Sequence, residues 1–300
     1  MKNNFYLFNK TYLGDFKRTL NLCKSIQLYN CDSIPLYISV PSADLEYFQK
    51  NIHQPKNINW VSDESIMSAA SHESVTKYKL TEGYISQQIV KSQFWRLFDS
   101  EITYLCIDSE SQFVKNFYLS DFLNGDAPYT IFHQNKELLQ LAANKRIDKV
   151  RLHFFKESNL LKNIFNRIGP DYDFGPTPVI WSSKVWKSLD QNYLAPNNMT
   201  FWDAIEKVPS ELRWYGESLL AYKAIPLHPI EPIFRVYHYD WQFFSNRRLG
   251  ETVESLAVNY LGILKQSNWD YQSDYGSQAN RKSFLSKFLR SIKRFLARYR

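Results

Sequence analysis

Four β-prone runs alternate with three segments of helical period between Phe5 and Asp108, and this alternation leaves few folds open. Phe5–Phe8, Ile34–Val40, Ile58–Val61 and Ile102–Ile107 read as strands. Between the first two, Tyr12–Tyr29 sets Phe16, Leu20, Leu22, Ile26 and Tyr29 at helical spacing. Ser42 is the expected N-cap of a helix over Ala43–Asn51, with Leu45 and Phe48 turned inward. After a polar stretch, Glu82–Phe98 reads as a helix through Ile85, Ile89, Phe94, Leu97 and Phe98. Strands that read as continuous apolar runs are buried on both faces, so the expectation is a mainly parallel sheet flanked by helices. Beyond Gly125 the pattern is less regular, with Pro- and aromatic-rich loops and helices near Glu137–Ala143 and Glu217–Ala224. No linker interrupts residues 1–270, so one Rossmann-like α/β domain is predicted there.

Ligands of such sheets bind outside the carboxyl ends of strands. Asp108-Ser109-Glu110 stands at such an end. The chain has nine glycines and no Gly-x-Gly, so neither a dinucleotide fingerprint nor a P-loop is available to cradle phosphate. His72-Glu73 lacks a second His one turn on, which removes a zinc-protease helix. A divalent cation on carboxylates is the substitute for a glycine cradle, and two carboxylates at i, i+2 can share one Mg²⁺ or Mn²⁺. Asp and Ser also end strands simply as turn formers, so spacing alone leaves both roles open. A rival acidic pair, Asp171-Tyr172-Asp173, follows Gly169-Pro170 rather than a strand and reads as a loop over the substrate site.

Charge and cysteines narrow the class. The net charge is +7, yet residues 281–300 hold eight basic and no acidic side chains, leaving 29 basic against 30 acidic elsewhere. A near-neutral body argues against a nucleic-acid-reading surface. In the tail, Phe284, Leu285, Phe288, Leu289, Ile292, Phe295, Leu296 and Tyr299 recur on one helical face opposite Lys and Arg. That pattern predicts a basic amphipathic helix over 281–300 lying on an anionic membrane surface. No apolar run approaches the roughly 18–20 residues of a spanning helix, and the N-terminus does not read as a signal peptide. Cys23, Cys31 and Cys106 form no Cys-x-x-Cys pair, which fits a reducing compartment. The predicted location is cytoplasmic, peripheral to the inner face of the membrane.

Tyr104-Leu105-Cys106-Ile107-Asp108-Ser109-Glu110-Ser111 resembles the Tyr-Leu-x-x-Asp-x-Asp segment of GT-A glycosyltransferases, with Glu110 where that family usually has Asp. The preceding Gln87–Leu97 resembles the helix those enzymes place before that strand. More narrowly, residues 1–270, including Tyr172–Pro178 and Trp214-Tyr215-Gly216-Glu217, are similar to a bacterial family of uncharacterised glycosyltransferases from surface-polysaccharide gene clusters. The resemblance implies a GT-A-like fold, with residues 1–125 as the nucleotide-sugar-binding half and 126–270 as the acceptor half. It implies transfer of a sugar from a nucleotide-sugar to a glycan acceptor, lipid-linked by preference, in O-antigen, capsule or lipooligosaccharide assembly. It also implies Mg²⁺ or Mn²⁺ on Asp108 and Glu110, with the late His238 as a further ligand. Gln87 is expected at the nucleotide, and Glu217 as the base of an inverting reaction.

Residue chemistry adds further candidates. Lys91 and Arg96 lie five apart, off one helical stripe, so one is expected to reach a phosphate or base. Asp173 and Gly175 belong to a stiff Phe174–Pro178 loop suited to shaping a sugar pocket. Trp214 and Tyr215 are expected to stack on the apolar face of a sugar. Glu217 is also placed well by a helix N-terminus alone, and His238 between tyrosines is equally a structural histidine. The competing classes are a nucleotidyl- or phosphosugar transferase on a related fold, and a non-catalytic membrane-associated scaffold.

Overall fold

The computed structural model describes residues 4–81, 83–134, 136–144 and 148–266 and, within the tail, 288, 289 and 292. The amphipathic-helix expectation for 281–300 therefore lies outside the described residues apart from Phe288, Leu289 and Ile292, all exposed.

The chain begins β1 (Phe5–Lys10), α1 (Phe16–Tyr29), β2 (Leu36–Val40), α2 (Ser42–Asn51), β3 (Ile58–Ser62). Three helices follow, α3 (Asp63–Ala70), α4 (His72–Leu80) and α5 (Gly83–Gln93), before β4 (Thr103–Ile107). Much later β8 (Val179–Ser182) joins the same sheet, whose order is β3-β2-β1-β4-β8. All neighbours run parallel except β8, which is antiparallel to β4 with Val179 opposite Cys106. The chain thus winds outward from β1 to β3, then returns to the other side of β1. The gap between the carboxyl ends of β1 and β4 is the point where strand order reverses, the place where an open α/β sheet takes a ligand.

Alternation along the strands sorts the core onto two faces. Phe5, Leu7, Leu36, Ile38, Leu105, Ile107 and Ile180 pack with α1 residues Leu22, Cys23 and Ile26. Phe8, Tyr104, Cys106, Val179 and Trp181 pack on the other side with Ile89, Val90 and Phe94 of the α5 segment. Each of these large side chains contributes roughly 1.5–3 kcal/mol by leaving water. The face with α5 also receives α8 (Ser183–Leu189), α9 (Phe201–Lys207) and α10 (Glu211–Tyr222).

Between β4 and β8 lie β5 (Ser111–Phe113), β6 (Leu123–Asn124), β7 (Ala127–Ile131), α6 (Glu137–Asn144) and α7 (Asp148–Ile164). After α10 come β9 (His228–Ile230), β10 (Phe234–Tyr237), α11 (Asp240–Arg248), α12 (Val253–Asn259) and β11 (Gly262–Lys265). These strands make two small sheets, β10-β11-β5 and β6-β7-β9. Among the described residues no helix is long and apolar enough to cross a membrane.

Several element expectations need correction. Ser42 is the first residue of α2 rather than its cap, because its N–H and hydroxyl both donate to Glu64. The polar stretch after β3, which carried no element expectation, holds two helices: Ser62 and Ser71 cap α3 and α4 through Ser65 N–H and Ser74 N–H. The Glu82–Phe98 helix is α only to Gln93 and tightens to 3₁₀ over Phe94–Leu97. The helix placed at Glu217–Ala224 starts six residues earlier, at Glu211, where Ser210 accepts from Arg213 N–H.

Candidate functional site

A cleft of about 680 Å³ opens at the strand-order reversal. Lys10 at the end of β1 and Asp108, Ser109 and Glu110 after β4 form its floor. Gln87, Gln88 and Lys91 of α5 and Glu211, Leu212 and Arg213 of α10 form one wall. Asp173, Gly175, Pro176 and Thr177 lead into β8, and because β8 runs against β4 this loop arrives directly over Asp108. Leu138, Leu139, Val150 and Phe154 of α6 and α7 give an apolar side, and His238 closes the rim after β10.

Asp108 is held at both oxygens. Lys91 Nζ lies 2.5 Å from its Oδ1, and the Thr177 hydroxyl donates to Oδ2 at 2.5 Å. Burial alone would raise the Asp108 pKa, but Lys91 and Thr177 outweigh it and the carboxyl is held below its ordinary value. Lys91 is only 4% exposed. Burial would strip its proton, yet Asp108 and Glu211, whose Oε1 is 3.9 Å away, raise its pKa. Its backbone is fixed as well, since the Tyr104 hydroxyl donates to the Lys91 carbonyl at 2.9 Å.

Glu110 is pushed up to about 7 by burial first, then by the nearby charges of Asp108 and Asp15. Ser109 has a structural tie: Asn9 Nδ2 donates to its hydroxyl at 3.3 Å and to the Ile107 carbonyl at 2.8 Å. Lys10 is anchored from below by Asp63 at 2.7 Å, a fully buried carboxylate that also accepts from Ser39 and Tyr78. His238 is buried and pushed down to about 4, chiefly by loss of water, and its Nε2 has no hydrogen-bond partner among the described residues.

The structure gathers Gln87, Lys91, Asp108, Ser109, Glu110, Asp173, Gly175 and His238 into this one cleft. It does not bring four other candidates there. Arg96 is turned by the 3₁₀ segment toward Asp190, 2.8 Å away, and Gln93. Trp214 is wholly buried, its indole N–H donating to the carbonyls of Ala204 and Val208. Tyr215 is 2% exposed and its hydroxyl accepts from Ser182 N–H. Neither ring is available to a sugar. Glu217, 1% exposed, is gripped by Arg167. The rival acidic pair is split as well. Asp171 accepts from Ser158 and Lys162 of α7, while Asp173 caps Gly175 N–H at 3.1 Å.

Sequence reading missed Glu211 and Thr177. Glu211 is the first residue of α10, and burial raises its carboxyl despite Lys91 nearby. Pro209-Ser210-Glu211 carried the signal, a Ser cap with an acidic first turn. Thr177 gave no signal of its own, because its partner is 69 residues away.

A divalent cation fits the kind of donor present: two carboxylates plus an imidazole kept neutral with a bare nitrogen, the form in which His ligates metal. Among the described residues, however, no three such groups stand gathered around one point, and Asp108 already carries Lys91. No protein-family model matches the chain, and no curated protein matches it either.

Proposed function

We propose that the protein is a glycosyltransferase of GT-A-like fold, moving a sugar from a nucleotide-sugar donor to a glycan acceptor. One observation carries this reading: Asp108 and Glu110 both line a cleft of about 680 Å³ at the strand-order reversal. That volume suits a ligand of nucleotide-sugar size.

Asp108 and Glu110 are the residues that would hold Mg²⁺ or Mn²⁺, which when bound would supply charge neutralisation for a departing diphosphate, and His238 lines the same cleft. Lys91 adds a fixed positive charge of the chain's own, with N–H donors beyond the one given to Asp108. Gln87 and Lys10 line the same cleft and are assigned to the nucleotide. Glu211 takes the role expected of Glu217: it is the carboxylate of α10 that lines the cleft, and its burial favours accepting a proton from an acceptor hydroxyl. Asp173 and Gly175 shape the sugar subsite.

The apolar side formed by Leu138, Leu139, Val150 and Phe154 supports an acceptor with an apolar part, hence a lipid-linked glycan of the kind used in bacterial surface-polysaccharide assembly. The basic, apolar-striped tail supports peripheral attachment to the inner face of an anionic membrane from the cytoplasm. The body's near-neutral charge gives no support to a nucleic-acid partner.

Purified protein with a panel of nucleotide-sugars and Mn²⁺ tests this. Slow release of nucleoside diphosphate, abolished in Asp108→Ala, is the expected result. Failure of every nucleotide and nucleotide-sugar to bind, with or without metal, rejects transfer and leaves a scaffold.

A further inference from the structure

We propose that Lys91 is a resident counter-ion for Asp108, which guards the carboxylate against a lone metal ion and passes to the phosphate when the donor arrives. This rests on the reading of the cleft as a cation-assisted diphosphate site. Three observations carry it. The ammonium is seated against Asp108 Oδ1 at 2.5 Å while Thr177 takes Oδ2, so neither oxygen meets the cleft uncommitted. The lysine is 4% exposed, so its ammonium sits within the cleft rather than in solvent, and the Tyr104 hydroxyl holds its backbone carbonyl. The only other carboxylate recorded beside its ammonium among the described residues, Glu211, stands at 3.9 Å, too far for a hydrogen bond, leaving donor capacity on Nζ.

A divalent ion approaching Asp108 must share it with a positive charge a few ångströms away in a poorly solvated pocket, and the two cations repel. A diphosphate reverses the sign of that interaction. It brings several negative charges, gives Nζ new acceptors, and frees Asp108 for the metal. Metal alone should therefore bind weakly, and diphosphate should have its own handhold without metal. A lysine serving only to stabilise the fold would not produce opposite effects on the two ligands.

The test titrates the full chain and Lys91→Met with two probes, each alone: Mn²⁺ followed by electron paramagnetic resonance, and inorganic pyrophosphate in EDTA followed by calorimetry. Lys91→Met is expected to bind Mn²⁺ at least tenfold more tightly than the parent, and pyrophosphate at least tenfold more weakly. Lys91→Gln, which keeps a hydrogen bond to Asp108 without the charge, should move both in the same directions and serves if the methionine variant does not fold. The tightened Mn²⁺ should vanish in Lys91→Gln/Asp108→Asn. If the parent binds Mn²⁺ and neither lysine variant binds it more tightly, the counter-ion role is overturned while the cation site stands. Unchanged pyrophosphate affinity overturns it too. Absence of Mn²⁺ binding in all three proteins removes the cation site and the inference together.

Discussion

Arg167 grips both carboxylate oxygens of Glu217, donating from Nη2 to Oε1 at 2.7 Å and from Nε to Oε2. Glu217 lies six residues beyond Glu211 on the same helix, roughly one and two-thirds turns, and so on the other side from the residue that lines the cleft. The two glutamates should separate cleanly. Glu217→Gln leaves Arg167 facing a neutral, imperfect partner and should cost about 3 kcal/mol in urea unfolding while sparing nucleotide binding. Glu211→Gln should keep the fold and lower turnover at least a hundredfold. The reverse pattern would return the base to Glu217.

Thr177→Val deletes the hydroxyl that donates to Asp108 Oδ2 and leaves that oxygen without its protein donor. Loss of one charge-assisted hydrogen bond predicts about 1.5 kcal/mol, or roughly a tenfold weaker affinity for nucleoside diphosphate. Calorimetry on the variant reads this directly. Unaltered affinity would show that Asp108 needs no support from the loop.

Gly216→Ala should damage the site from behind. A Cβ at Gly216 would fall 2.1 Å from the Phe174 ring, which is 4% exposed and cannot step aside. Overpacking of this kind costs about 1–3 kcal/mol. Since Phe174 directly precedes Gly175, the variant should also lose donor affinity. A drop in melting temperature with binding intact would disconnect the ring from the loop.

Glu110 makes stability depend on pH. Its native pKa of about 7 stands above the ordinary 4.5, so the folded chain keeps a proton that the unfolded chain releases. Nothing is lost below about 4.5; stability then falls as pH rises toward 7 and levels off above it. Glu110→Gln cannot ionise, so it should gain roughly 1–3 kcal/mol on the parent at pH 8 and little at pH 4. Denaturant midpoints at the two pH values decide it.

Trp214→Phe removes an indole N–H shared by the carbonyls of Ala204 and Val208. Unfolding should become easier by about 1–2 kcal/mol while KM for the acceptor stays unchanged. A raised KM with stability intact would restore the ring to the sugar.

How much could be read in advance follows from how local each signal was. Continuous apolar runs located β1 to β4 within two residues, and the end of the last run delivered Asp108 to the edge of the sheet. Helix faces were harder. α3 and α4 are short and polar, announced mainly by Ser62 and Ser71 as caps, and α10 starts at its Ser210 cap, six residues before the expected Glu217. The helix start six residues earlier brings Glu211 to the cleft, while Trp214, Tyr215 and Glu217, expected there from the resemblance and from a first-turn position, lie buried behind it. Relationships across the chain, Lys91 with Asp108 and Thr177 with Asp108, leave no periodic trace, since they depend on how the sheet is assembled.

The reversed direction of β8 has a consequence for selectivity. A parallel strand in that position would send its carboxyl end to the cleft; β8 sends its amino end, so an incoming segment rather than an outgoing one roofs Asp108. Residues 173–178 precede that pairing, which begins at Val179, and are tied down by contacts of their own: Phe174 lies against Gly216 and Thr177 donates to Asp108. Under the proposed transfer reaction, selectivity for one sugar over another would rest on this entering segment rather than on the outgoing end of a strand.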